Sequence, residues 1–216
     1  MFSMAGFLST REEWAAVFSA NLCAMNVSMK LCLKMSRPDA QDLNNMKRVG
    51  RLLVGRPRVG CLFEWQAHPS ALHALADADW AGDRQSRKSV SGGMILHGKH
   101  LIKAWTKQQS IVATSTAEAE LYAGNRAATE SMGVQAFAKD LGRAVPIRLH
   151  IDSSAAVSVK NRTRLGKAKH IEIQYLGLQE VVRNKKLVVE KIPSETNSSD
   201  LGTKHLTSER SEMLMK

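Results

Sequence analysis

From residue 69 onward, apolar positions alternate between two periods. LHALAD predicts a strand, and SGGMILHG and HLIKAW predict a hairpin that turns at Gly98 and Lys99. Ser115 then opens a long helix with Glu118 three residues on, the pattern of a capping box. Leu121, Ala128, Met132 and Phe137 are read as its buried face and Gly142 as its stop. IRLHID predicts a strand, SSAAVSVKN a short helix, HIEIQYLGLQEVVRN another helix, KLVVEKI a last strand, and residues 198–206 a terminal helix. The order β-β-β-α-β-α-α-β-α predicts a mixed α/β sheet with helices on its faces. Residues 1–68 read as an extension. Leu43, Met46, Val49, Leu52 and Leu53 predict a helix over 39–53, stopped by Gly55 and Pro57, and CLFEWQ predicts a short strand.

A chain of 216 residues with 44% hydrophobic positions has material for one domain with a real core plus that extension. Aromatic residues make up only 5%, which argues against a broad base-stacking platform. The formal charge of +11 and a pI near 9.8 favour a polyanionic partner. The excess is uneven: residues 158–191 hold nine Lys or Arg against three Glu, a local +6 directly after an acidic position of interest. Lys103, Lys107, Arg162, Arg164, Lys167 and Lys169 are the candidate phosphate contacts. Cys23, Cys32 and Cys61 are odd in number and lack metal-type spacing, so they read as small core hydrophobes of a reducing compartment, cytoplasm or nucleus. No apolar run is long enough to span a bilayer, and MFSMAGFLST lacks the make-up of a secretory signal, so neither a membrane nor secretion is expected.

Four acids stand out against this frame. Asp77 lies in the apolar run HALADADW, where a carboxylate needs a partner or a metal. Asp152 follows the strand IRLHI, at the carboxyl end where α/β sheets present ligands. Glu120 lies on the long helix, and Asp200 lies near the start of the terminal one. Each has a structural alternative. Glu118 is explained by capping alone, and Asp200 by a favourable charge at a helix start. The four together point to hard-cation chemistry. Carboxylates gathered in one place repel unless neutralised, and two Mg2+ (or Mn2+) ions would neutralise them, one activating water and the other stabilising a leaving oxygen.

The stretch DADWAGDRQSRKSVSGGMILHGKHLIKAWTKQQSIVATSTAEAELYA resembles the ribonuclease H domain of copia-type (Ty1/copia) retrotransposon Pol polyproteins, with its DADWAGD, RKSTSG, W-x-SKKQ and STEAEY blocks. Asp152-Ser153-Ser154-Ala155 resembles the family's D-N-x-S-A, residues 169–175 its KHIDIRY, and Asn197 to Lys204 its N-x-A-D-x-L-T-K. The resemblance spans about 70–206. Upstream, MSRPDAQDLNNMKRVGRLLVGRPRVG resembles the end of the reverse transcriptase connection. The family implies a ribonuclease H-like fold, a five-stranded mixed sheet flanked by helices, here with a helical N-terminal extension. It implies a metal-dependent endonuclease that hydrolyses the RNA strand of RNA/DNA hybrids during reverse transcription, with Asp77, Glu120, Asp152 and Asp200 as catalytic metal ligands. Glu120 rather than Glu118 fits its A-E-[LY] step. The implied partners are an RNA/DNA hybrid, held by shape across the minor groove, and the reverse transcriptase of the same polyprotein. On this reading 1–68 is the remnant of a thumb or connection segment, 69–208 the ribonuclease H domain and 209–216 a tail.

The chain departs from the family pattern at Ser153, at Ser198-Ser199 and at Gly202, which falls where it weakens a helix. The loop IPSETNSSD has no His, as copia-type domains imply, and His170 reads as a helix-surface residue. Two rivals remain. An integrase or transposase orders its acids Asp, Asp, Glu, whereas this chain runs Asp, Glu, Asp, Asp. The alternative from another class is a decayed or domesticated remnant that binds nucleic acid without cutting it.

Overall fold

A computed structural model describes residues 29, 31–33, 38–55, 63–83, 85–152, 172–204 and 206–214. Among them are strands β1 (Leu72–Asp79), β2 (Val90–His97), β3 (His100–Gln108), β4 (Ile147–Ile151) and β5 (Leu187–Lys191). The helices are α1 (Ala40–Gly55), α2 (Thr116–Asp140), α3 (Glu172–Arg183), the single turn α4 (Asp200–Thr203) and α5 (Ser208–Met213), with a 3-10 turn at Ser194–Thr196. The sheet runs in the order β3-β2-β1-β4-β5. β1 pairs antiparallel with β2 and β2 with β3, whereas β1–β4 and β4–β5 are parallel. This is the expected ribonuclease H-like architecture: a hairpin-built half joined to a half made by helical crossovers.

The alternation along β1 divides the core. Leu72, Ala74, Ala76 and Ala78 face one way, toward Ala119, Ala123 and Ala127 of α2 and Leu178 of α3. Small residues on both α2 and β1 let the helix lie close to the sheet. Leu75 faces the other way and joins Met94, Leu201 and Leu214 in a second cluster, which docks the C-terminal residues on the opposite side. α2 starts as the sequence predicts. Ser115 accepts from the Glu118 N–H at 3.2 Å, and the Glu118 carboxylate reaches back one residue further, accepting from Thr114 N–H at 2.6 Å and its hydroxyl at 2.7 Å. Gly142 follows the helix with φ +78°.

Several sequence expectations need correction. Phe137 is 65% exposed rather than buried. It lies sixteen residues beyond Leu121, about four and a half turns, and so on the opposite side of the helix. Residues 63–66 form no strand. Gln66 instead clasps the β2–β3 turn, its amide donating to His97 O at 2.9 Å and its carbonyl accepting from Lys99 N at 2.9 Å. The helix over 198–206 shrinks to the turn α4, because Lys204 leaves in an extended conformation with φ −113° and ψ 155°. Cys32 is exposed, not a core hydrophobe, while Cys23 and Cys61 lie outside the described residues. So does the helix expected over SSAAVSVKN. No helix among the described residues is long and apolar enough to cross a membrane.

Candidate active site

Sheet register brings the first two acids together. Ala76 pairs with Ile151 across the parallel β1–β4 ladder, and Asp77 and Asp152 each follow by one residue. Parallel neighbours in register carry equivalent side chains on the same face, so two carboxylates emerge side by side. Glu120, five residues into α2, enters from the helix, and its Oε1 accepts from the Ala78 N–H at 3.2 Å. One carboxylate oxygen from each of Asp77, Glu120 and Asp152 lies within 4.8 Å of the others. Asp77 is fully buried and Glu120 nearly so, while Asp152 is half-buried at the rim.

Asp200 joins through a different contact. It opens α4, which sits on β1 and β2, and Lys204 Nζ bridges it to Asp77 at 2.6 Å from Asp200 Oδ1 and 3.1 Å from Asp77 Oδ1. Thr203 donates its hydroxyl to Asp77 Oδ2. Arg210 Nη2 lies 3.9 Å from Asp200 Oδ2 and donates to Ser194 O at 3.0 Å. The glycines make this approach feasible. A Cβ on Gly92 would meet Thr203 Cγ2 at 2.6 Å, and one on Gly202 would meet Thr106 Oγ1 at 2.9 Å. Gly202, unfavourable in a helix on sequence grounds, is therefore a residue of close approach, with its carbonyl accepting from Thr106 Oγ1 at 2.8 Å.

The electrostatics follow from burial. Desolvation, reinforced by the Asp77 and Asp152 charges, pushes the Glu120 carboxyl up to about 9. Burial also raises Asp77, with Asp200 adding to the rise and Lys204 and Thr203 opposing it. Burial works to lower the Lys204 ammonium, but Asp77 and Asp200 outweigh it and raise it. Among the described residues, Glu120 Oε2 is buried without a hydrogen-bond partner. An orphaned carboxylate oxygen beside two more carboxylates is a hard, all-oxygen donor set, and it fits a divalent cation.

Of the expected phosphate contacts, Lys107 is exposed on β3. Lys103 is tied up locally, its Nζ 2.6 Å from Glu130, which also pairs with Arg126 at 3.0 Å. Arg162, Arg164, Lys167 and Lys169 lie outside the described residues. Sequence reading gave no role to Lys204, Thr203 or Asn197. For Lys204 a signal was present, since Asp200 and Lys204 stand at the i,i+4 spacing of helical ion pairs.

No protein-family model matches the chain. It is 30% identical over 176 residues to the retrovirus-related Pol polyprotein from transposon RE1 of Arabidopsis thaliana, covering 80% of this chain and 12% of that protein. It is 33% identical over 135 residues to the Pol polyprotein from transposon TNT 1-94 of Nicotiana tabacum, covering 62% of this chain and 10% of that one. The chain thus spans about an eighth or less of the length of these relatives. Among solved structures, the LC11 ribonuclease H1 isolated from compost by a metagenomic approach aligns with TM-score 0.49 and 17% identity, over 62% of this chain and 93% of that one.

Proposed function

We propose that this chain, a homologue of the copia-type Pol polyproteins of plant transposons, carries the ribonuclease H domain of such a polyprotein and hydrolyses the RNA strand of RNA/DNA hybrids in a divalent-metal-dependent reaction. On this reading residues 69–208 are the domain, 1–68 the end of the reverse transcriptase connection and 209–216 a tail. The observation that carries the proposal is the convergence of Asp77, Glu120 and Asp152 within 4.8 Å from three separate elements. Among the described residues, two buried carboxylates are held beside a third, and one of them has an oxygen with no hydrogen-bond donor, an arrangement that supports a functional site.

Asp77, Glu120, Asp152 and Asp200 are the residues that would hold metal. Bound Mg2+ or Mn2+ supplies activation of water and stabilisation of the leaving oxygen. The chain's own part is to hold the ligands rigidly. The Ala78 N–H fixes Glu120 by Oε1, while Thr203 fixes Asp77. Asp152 at the rim is the carboxylate nearest to solvent and hence to an incoming phosphodiester. Cleavage of a hybrid labelled on either strand, in Mg2+, tests the reading. RNA-strand cuts support it, whereas salt-sensitive hybrid binding with no cuts assigns the chain to the non-cutting alternative.

Two further results are expected. Glu120 has a folded pKa raised to about 9. Its contribution to stability is therefore fully present below its unfolded value and is lost as pH rises through about 9, because the folded state holds the extra proton across that window. Metal binding must displace this proton. Mg2+ should therefore stabilise the chain more at pH 8.5 than at pH 6, approaching ~2.7 kcal/mol at a hundredfold excess over Kd. Thermal melts at the two pH values, with and without Mg2+, check it. In hybrid binding, Lys107→Ala should lower the slope of log K against log salt by ~1. Lys103→Ala should change it less, because the Lys103 ammonium is already held 2.6 Å from Glu130. Binding titrations across a salt series separate the two.

A further inference from the structure

The four carboxylates are compensated in two different ways. Between Asp77 and Asp200 the charge is met by the chain itself: Lys204 Nζ is within hydrogen-bond distance of both. It is placed there by backbone as well as side chain, since Lys204 ends α4 with its N–H donating to Asp200 O at 2.9 Å. The side chains of Asp77 and Asp200 are 0% and 7% exposed, so water cannot substitute for the ammonium. Arg210 attends the other Asp200 oxygen. Between Asp77, Glu120 and Asp152 the situation is opposite. Their oxygens converge, and Glu120 Oε2 meets no donor among the described residues. Set against these four carboxylates, the cations Lys204 and Arg210 leave a formal charge of −2, which one divalent ion cancels.

We propose that Lys204 is a tethered cation standing where a second divalent ion would sit between Asp77 and Asp200, so that the protein without nucleic acid binds one divalent ion, in the Asp77–Glu120–Asp152 half. The inference rests on the metal-dependent reading above and deepens it. Mg2+ requires near-octahedral oxygen ligation at short range. An ammonium already bonded to both carboxylates takes those oxygens and repels a dication a few ångströms away. A second ion enters only if the Lys204 stem swings out, and its side chain, 38% exposed, has solvent to swing into. Lys204 is a positioning residue in this scheme: it sets how many ions the resting site carries.

The test counts Mn2+ bound to the full chain without nucleic acid, by equilibrium dialysis and by the paramagnetic resonance signal of the free ion. The parent should bind one Mn2+ per chain. Lys204→Met should bind two, and Lys204→Arg, which keeps the charge, should bind one. Because Lys204→Met strips the counter-charge from buried carboxylates, Lys204→Gln serves as a second variant that keeps a donor for them, and it too should bind two. Two ions in the parent, or one in both neutral variants, overturns the proposal and leaves the metal-dependent reading standing. No Mn2+ bound to any of the four overturns both.

Discussion

Glu120→Gln should abolish RNA-strand cleavage and, in the same protein, flatten the pH dependence of metal-free stability. The two effects have one cause. Glu120 is 7% exposed, with one oxygen anchored by Ala78 N–H and the other without a donor among the described residues, beside the carboxylates of Asp77 and Asp152. Without a cation the folded state tolerates that side chain by keeping it protonated, and each pH unit between the unfolded and folded pKa removes at most about 1.4 kcal/mol of stability. An amide of the same shape still accepts from Ala78 N–H and never has to ionise. It does not restore a charged ligand. Changing a group that merely supports a metal ligand typically costs 10–100-fold. Loss of the ligand itself should therefore exceed ~100-fold in cleavage. Asp77→Asn should match this loss of activity, but it also takes from Lys204 one of its two carboxylate partners and leaves it Asp200 alone, so its stability should not improve. Cleavage assays with a strand-labelled hybrid, paired with melts from pH 5 to 9, read both properties. A Glu120→Gln protein that still cuts at the parental rate would remove Glu120 from the site.

The alternation of LHALAD and IRLHID made β1 and β4 legible, and with them the positions of Asp77 and Asp152 at adjacent strand ends. The Ser115–Glu118 spacing made the start of α2 legible and gave Glu118 a structural explanation, which left Glu120 for the site. What the sequence did not disclose was tertiary. Whether Asp200 joins the cluster depends on how α4 seats on β2, and that is decided by Gly92 and Gly202 lying close enough for Thr203 to reach Asp77. A glycine scored only by helix propensity looks like a defect there. Lys103 likewise read as a free cation in sequence, because Glu130 is remote along the chain and near only in the fold. Phe137 misled for a simpler reason: an apolar residue at the far end of a long helix was grouped with a stripe from which helical geometry rotates it away.

Asn197→Ala should cost about 3 kcal/mol and lower Tm by roughly 6–12 °C, with cleavage falling alongside. Asn197 is fully buried between the C-terminal segment and the central strand. Its amide donates to Ala76 O at 3.0 Å, and its carbonyl accepts from the Ser199 hydroxyl at 2.5 Å and the Ser199 N–H at 3.3 Å. Truncation leaves the carbonyl of Ala76 without that donor and Ser199 without its acceptor, and buried polar groups left unmet cost far more than a surface hydrogen bond contributes. The effect on chemistry follows from position. Ala76 precedes Asp77 and Ser199 precedes Asp200, so this one side chain sets the spacing between two of the four carboxylates. Loosening it lets α4 drift from β1 and breaks the Lys204 bridge, which depends on both ends. Asn197→Asp keeps the shape and the acceptor but loses the donor and places a charge where nothing is exposed, so it should be at least as damaging as alanine. Chemical denaturation of both variants, followed by cleavage under conditions where each is fully folded, separates the stability term from the positional one. Parental cleavage by folded Asn197→Ala would mean that Asn197 holds the fold without setting the site.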